Sequence, residues 1–365
     1  PTSPGPFAVS TGGGASLRYC APDRNQTAHT ARHQIRRRLA ARVGRFCTLG
    51  AIEDYLYGGD DKRLRMWAIA IGVAVITTHI AMSIGTFDST TTAYLDRTWN
   101  PLGTIIGGLL FGYGMALSGN CGYGALARLG GGDLRSLMIV IVMGLSAYFV
   151  MSGPLAHLRV WLFPVETGSG QPQGFTQLLS NFGLPPVLSG LILGGGLLSV
   201  ALLDKDMRQS YAQMFWGSIV GLAVFSGWLG TYWIATTGFS IEPLETHSFA
   251  APIGDTIYYA MTASGNTLSF SVGSVVGVVL GAVLGSYSKG HFRWEACDDP
   301  RELRRQIFGA AIMGPGAILA VGCSVGQGIS AFSVLAFSAP GAFIAIFIGA
   351  ALGLKQLITG FALPE

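Results

Sequence analysis

Eight apolar runs organise this sequence, at residues 66–86, 101–120, 136–152, 187–203, 212–236, 268–288, 306–323 and 338–358. A stretch of about 17–25 residues with almost no charge matches the thickness of a bilayer core as a helix. Only 12% of the 365 residues are charged, against about 25% in an average soluble protein. That is too little charge to cover a soluble fold of this size. The 53 glycines follow no collagen period, and the apolar content excludes disorder. The sequence predicts an all-α, polytopic helical membrane protein.

Charge placement sets an expected orientation. Eleven of the 23 Lys and Arg lie in residues 1–65. No recognition module accompanies this basic run, so it reads as a flank facing anionic lipid rather than a nucleic-acid site. With that flank cytoplasmic, the segments 128–135, 204–211, 289–305 and the C-terminal end are also inside, and 21 of the 23 basic residues share one side. The outer loops hold only Arg97 and Arg159, and the longest, 237–267, has Glu242, Glu245 and Asp255 but no Lys or Arg. This is the positive-inside pattern. No secretory signal peptide is apparent, since nothing apolar precedes residue 66.

Displacing the sequence by 202 residues lays Gly107, Gly112, Gly114, Cys121 and Gly124 on Gly309, Gly314, Gly316, Cys323 and Gly326. The same displacement superposes 66–86 on 268–288 and 136–152 on 338–358. These pairs cross in opposite senses, so the expected architecture is two inverted repeats with Gly-broken, Cys-bearing helices, the arrangement of many transporters. The expected organisation is a polar basic segment at 1–42, a first half at 43–186, a linking helix and cytoplasmic loop at 187–211, and a second half at 212–365. Span 212–236 lacks an apolar mate near residues 10–34.

Cys121 and Cys323 each end an apolar run in a Gly-rich break. Irregular backbone at membrane depth survives only where it is buried in protein or lines a polar cavity. Helices restarting after such breaks aim N–H groups at the gap, which suits an anion, and a thiol adds a weak donor and polarisable sulfur. A small, soft anion is therefore the expected ligand. Without paired cysteines or histidines at ligand spacing, no metal is expected, and no cofactor motif is present. Gln327, four residues beyond Cys323, is placed to face the same cavity. Ser324 and Tyr123 adjoin the cysteines, and Asn120 adds an amide beside Cys121. His79 reads as a neutral histidine bonded to a neighbouring helix. Gly273, Gly277, Gly281 and Gly285 read as a stripe for close helix packing. Cys20 and Cys297, in polar flanks, are assigned no role.

The stretch GGLLFGYGMALSGNCGYGALARLGGGDLRSL resembles the first signature of the YeeE/YedE (sulphur transport) family of bacterial inner-membrane proteins, and GAAIMGPGAILAVGCSVGQGISAFS resembles its second. Gly44-Arg45-Phe46-Cys47-Thr48-Leu49-Gly50 is similar to a third family element. The resemblance implies an inverted-repeat fold and thiosulfate transport through Cys47, Cys121 and Cys323; the reading of the residues themselves adds Asn120, Gly122, Ser324 and Gln327 as substrate-binding candidates. The resemblance also implies a location in the bacterial inner membrane and a cytoplasmic partner, a TusA-like sulfur carrier. Where the family reads Gly-Gly-Cys, this chain has Gly119-Asn120-Cys121. The competing reading is a membrane sulfurtransferase with a persulfide on Cys121 or Cys323. It would need a lowered thiol pKa, yet no Lys, Arg or His lies within six residues of either cysteine.

Overall fold

The computed structural model describes residues 46–164, 172–237, 243–290, 292–296 and 299–360. Segment 1–42, Cys20 and Cys297 lie outside the described residues. Among those residues no strand occurs, and two isolated bridges, Asp133 to Glu295 and Gly174 to Ala336, are the only sheet-like pairings. The main helices are α1 (Thr48–Glu53), α2 (Lys62–Ser83), α3 (Pro101–Ser118), α4 (Gly122–Leu129), α5 (Leu134–Met151), α6 (Ala156–Leu162), α7 (Phe175–Asn181), α8 (Pro186–Leu202), α9 (Tyr211–Thr237), α10 (Ala251–Thr262), α11 (Phe270–Ser288), α12 (Pro300–Leu319) and α13 (Ser338–Thr359).

Among the described residues, six segments are long and apolar enough to cross a membrane: α2, α3 with α4, α5, α9, α11 and α13. The protein is thus a polytopic all-α membrane protein. The two other apolar runs are also helical but fall short of that measure. Helix α8 has 17 residues. Helix α12 carries Arg301, Glu302, Arg304 and Arg305 in its first turns and Pro315 further on, so only its second half is apolar.

The breaks have local causes. Asn100 caps α3, its side chain accepting from the Gly103 N–H at 3.0 Å, with Pro101 in the first turn. Helix α3 stops at Gly119, whose φ of 75° is left-handed, a conformation open to glycine without steric cost. Helix α12 ends before Val321, which holds a φ of 57°. A β-branched residue rarely adopts that region, and such outliers are held in place by the surrounding structure.

Helices α3 and α12 cross antiparallel through their glycines. A Cβ on Gly107 would lie 2.7 Å from the Gly316 carbonyl oxygen, and one on Gly316 would lie 2.8 Å from the Gly107 oxygen. Likewise, a Cβ on Gly114 would lie 2.6 Å from the Gly309 oxygen, and one on Gly309 2.7 Å from the Gly114 oxygen. Gly112 meets α13, where its Cβ would stand 2.8 Å from Ala350 N, while Gly314 meets α5, 2.6 Å from the Met143 oxygen. Backbone approach of this kind is how helices associate in lipid, where burial of apolar surface gives little drive. Phe111, Met115, Met143, Met313 and Ile346 fill the centre and are fully buried.

The glycines of α11 behave otherwise. No atom of the described residues would come within 4 Å of a Cβ on Gly273, Gly277, Gly281 or Gly285. This corrects the close-packing reading of that stripe: the α11 face bearing it packs on no other described helix. His79 is buried as expected, its Nδ1 2.9 Å from the Val75 oxygen and its Nε2 3.2 Å from Thr176 Oγ1 on α7.

Ion pairs gather the basic ends. Lys62 meets Asp206 at 3.7 Å and Arg65 meets Asp204 at 3.9 Å, while Arg135 bridges Asp133 at 3.4 Å and Glu295 at 3.9 Å. All but the local Arg135–Asp133 pair join two segments that the charge pattern assigns to the same side. All are partly exposed and add little stability individually.

Candidate functional site

All three cysteines in the described residues are free, and each stands at the start of a helical turn. Cys47 is the N-cap of α1 with extended backbone, and its carbonyl accepts from the Ala51 N–H at 3.0 Å. Cys121 caps α4: its Sγ accepts from the Gly124 N–H at 3.4 Å, and its carbonyl accepts from Ala125 at 2.8 Å. Cys323 precedes the π-helical segment Gly326–Ala331. Its Sγ accepts from the Gly326 N–H at 3.4 Å, and its carbonyl from Gln327 at 2.8 Å. The two register-matched thiols therefore do the same local job, each replacing the usual oxygen cap. π-Helical turns recur at functional sites.

The thiols converge. Cys47 and Cys121 lie within side-chain interaction distance of each other. Arg63 and Arg128 stand within electrostatic reach of Cys47, so positive charge sits behind that pair. Cys323 receives a second donor, the Phe249 N–H at 3.3 Å, and its Sγ lies 3.8 Å from Ser248 Oγ. Phe249 touches both breaks: its N–H meets the Cys323 sulfur, and a Cβ on Gly122 would come 3.3 Å from its carbonyl oxygen. Its ring centroid is 5.2 Å from that of Tyr123, two residues past Cys121, and 6.4 Å from that of His247.

The neighbouring candidates divide by what they touch. Asn120 Oδ1 and Ser324 Oγ are buried without a hydrogen-bond partner among the described residues. A buried polar atom left so carries a desolvation cost, and both stand directly beside a thiol. Rotating the Asn120 amide would put its NH₂ in the same place. Gly122 is buried, and a Cβ there would come 2.7 Å from the flexible end of Met143 and 3.3 Å from the Phe249 oxygen. Gln327 is engaged differently. Its Nε2 donates to the Ala320 oxygen at 2.7 Å and the Val321 oxygen at 3.2 Å, and its Oε1 accepts from Ser338 Oγ at 3.2 Å. It latches the two carbonyls released where α12 ends, which is a role within the break.

Sequence reasoning passed over Phe249 and Ser248. A signal for Phe249 existed: the 202-residue displacement that matches Cys121 to Cys323 carries Cys47 onto Phe249. In one place a thiol meets the capping cysteine; in the other a backbone N–H does. Arg97 and Arg159 were noted only as exceptions to the charge rule. They line one cavity of about 320 Å³, together with Tyr94, Ser248 and Gly322.

The profile of the family described as sulphur transport matches residues 43–352. Two curated relatives are each named thiosulfate transporter TsuA. That of Spirochaeta thermophila is 24% identical over 315 residues, covering 84% of this chain and 91% of the relative. That of Escherichia coli is 24% identical over 302 residues, covering 78% of this chain and 82% of the relative. With three thiols gathered at two helix breaks and the family match spanning all of them, this chain belongs to the sulphur transport family.

Proposed function

We propose that this protein carries thiosulfate, or a closely related small sulfur anion, across the bacterial inner membrane into the cytoplasm, handing it along Cys323, Cys121 and Cys47. The observation that carries the reading is the placement of the thiols. Cys323 adjoins a cavity through Ser248, and Cys121 meets Cys47 with Arg63 and Arg128 behind. Thiol S–H groups and the N-terminal N–H groups of the restarting helices supply weak donors to a polarisable anion. Weak, repeated contacts let an anion enter each position and leave it again, as permeation requires. The anion keeps its S–S bond throughout.

The reciprocal glycine contacts support an inverted-repeat origin. Gly107 meets the counterpart of Gly114, and Gly114 meets the counterpart of Gly107. Exchange of this kind is expected when two copies of one helix cross about a two-fold axis in the membrane plane. In this reading the Arg97 end faces the periplasm, and delivered anion becomes available to a TusA-like carrier in the cytoplasm.

Labelled thiosulfate uptake by purified protein in liposomes is the test. Intact thiosulfate recovered inside supports transport. A label that stays covalently on Cys121 or Cys323 after washing, without intact anion inside, supports the sulfurtransferase instead.

A further inference from the structure

Gly50 ends the family-like element that holds Cys47. It lies on α1, three residues beyond Cys47 at the cap of that helix, a spacing that puts two residues on one face. A Cβ on Gly50 would collide with Nη1 of Arg63, and it would stand 3.9 Å from the Cys47 Cβ. The guanidinium of Arg63, the second residue of α2, therefore fills the space that a side chain at position 50 would take, beside the thiol. Its Nη1 pairs with Asp54 Oδ2 at 3.1 Å. Asp54 opens a short π-helical turn, Asp54–Gly58, which continues α1 and ends at Gly59 with a left-handed φ of 63°.

Two buried polar atoms in this neighbourhood have no hydrogen-bond partner among the described residues: Thr48 Oγ1, in the residue after Cys47, and Trp67 Nε1. Both side chains belong to residues only 2% exposed. Trp67 follows Arg63 by one turn of α2, and its ring stacks on Phe46, the residue before Cys47, at a centroid distance of 4.3 Å. An indole N–H can only donate, so leaving it unpaired in the interior is costly and marks a place suited to an acceptor. The side chains of Arg63 and Asp54 are 20% and 39% exposed. The thiol path thus meets water at the end that the charge pattern assigns to the cytoplasm.

We propose that Arg63 forms the last binding station of the path, taking the anion from Cys47, and that Asp54 is the built-in competitor that lets the anion go. The substrate class, a small sulfur oxyanion, rests on the transport reading; the station itself rests on the packing of Arg63 over Gly50. A guanidinium offers an oxyanion a planar fork of charged donors, and a site that binds too firmly at an exit stops conduction. Asp54 resolves that conflict. A partly exposed ion pair is weakly held, so the arriving anion displaces the carboxylate at little cost. The returning carboxylate then displaces the anion toward the cytoplasm. One anion is exchanged for another around Arg63, and no covalent bond breaks.

Calorimetric titration of thiosulfate into the full chain in nanodiscs, paired with uptake of labelled thiosulfate into liposomes, tests this. The two members of the pair should shift binding in opposite directions, which a merely structural ion pair would not do. Arg63→Gln should bind about tenfold more weakly, through loss of a charged hydrogen bond. Asp54→Asn should bind about threefold more tightly and, releasing slowly, should lower both KM and the maximal rate of uptake. Gly50→Ala should weaken binding nearly as much as Arg63→Gln at an unchanged melting temperature, because the atom it displaces ends a flexible side chain. The double variant should bind no worse than Arg63→Gln alone. Arg63→Lys keeps the charge and loses the fork, so it should fall between, and it decides the case if Arg63→Gln melts early. Arg63 variants that bind as wild type overturn the station. Asp54→Asn that binds as wild type or more weakly overturns the competitor, and a Gly50→Ala loss that adds in full to that of Arg63→Gln overturns the role of Gly50. If liposomes accumulate no intact thiosulfate while the titrations shift in opposite directions, the transport reading fails and the anion station stands. Uptake with no shift in either variant leaves transport standing and removes the station.

Discussion

Cys323 and Gln327 lie four residues apart and are both buried, but they should fail differently. Cys323→Ala removes one sulfur that accepts two N–H groups and fills little volume. It should abolish thiosulfate uptake while changing stability by only about 1 kcal/mol. Cys323→Ser keeps a capping oxygen and a donor, so full loss of uptake in it would assign the function to the sulfur, whereas partial uptake would assign it to any donor. Gln327→Leu instead strips partners from the Ala320 and Val321 carbonyls inside the protein. Two buried acceptors left unpaired should cost roughly 2–4 kcal/mol, seen as a lower melting temperature in detergent before any change in path chemistry. A Gln327→Leu protein as stable as wild type would show that the latch is dispensable.

The glycines separate at the level of elements. The α11 stripe reads as a close-packing seam from spacing alone, yet the seam lies at the α3/α12 crossing instead. Gly316→Ala would drive a Cβ to 2.8 Å from the Gly107 oxygen and should destabilise the protein by about 1–3 kcal/mol through overpacking. Gly277→Ala meets nothing within 4 Å and should be neutral or stabilising by up to about 1 kcal/mol, the gain in helix propensity. Thermal unfolding of the two variants side by side checks the contrast; equal losses would show that α11 packs against something in the membrane. Spacing could not separate them, because a small residue every four positions marks a smooth face without saying whether a partner lies on it.

For the whole molecule, the charge pattern assigns the Arg97–Arg159 cavity to the outside and the Arg135–Glu295 cluster to the inside. In a background with Cys20 and Cys297 replaced, a cysteine at Glu245 should react with an impermeant thiol reagent in intact cells, and one at Lys289 should react only after lysis. The reverse pattern would turn the path around, putting the cavity on the cytoplasmic side. The ion pairs of Lys62 with Asp206 and of Arg135 with Glu295 already group the segments as the charge rule does, although neither pair states which side is which.

Hydropathy and charge are properties summed along the chain, so the membrane class, the helical positions and the grouping of loops were all legible in the order of residues. So were the two Gly-Cys breaks, because a broken helix at membrane depth needs a reason wherever it stands. Contacts between distant segments were not. That Cys47 meets Cys121, that Phe249 offers its N–H to Cys323 at the position equivalent to Cys47, and that Gln327 turns to backbone carbonyls depend on which faces of the helices meet. That in turn is decided by the close backbone approach at Gly107, Gly114, Gly309 and Gly316. The cavity shows the division most plainly. Arg97, Arg159, Glu245 and Asp255 are four scattered charges in the sequence, and only the crossing of α3 and α12, with α5 and α10 folded beside them, brings them around one space next to a thiol.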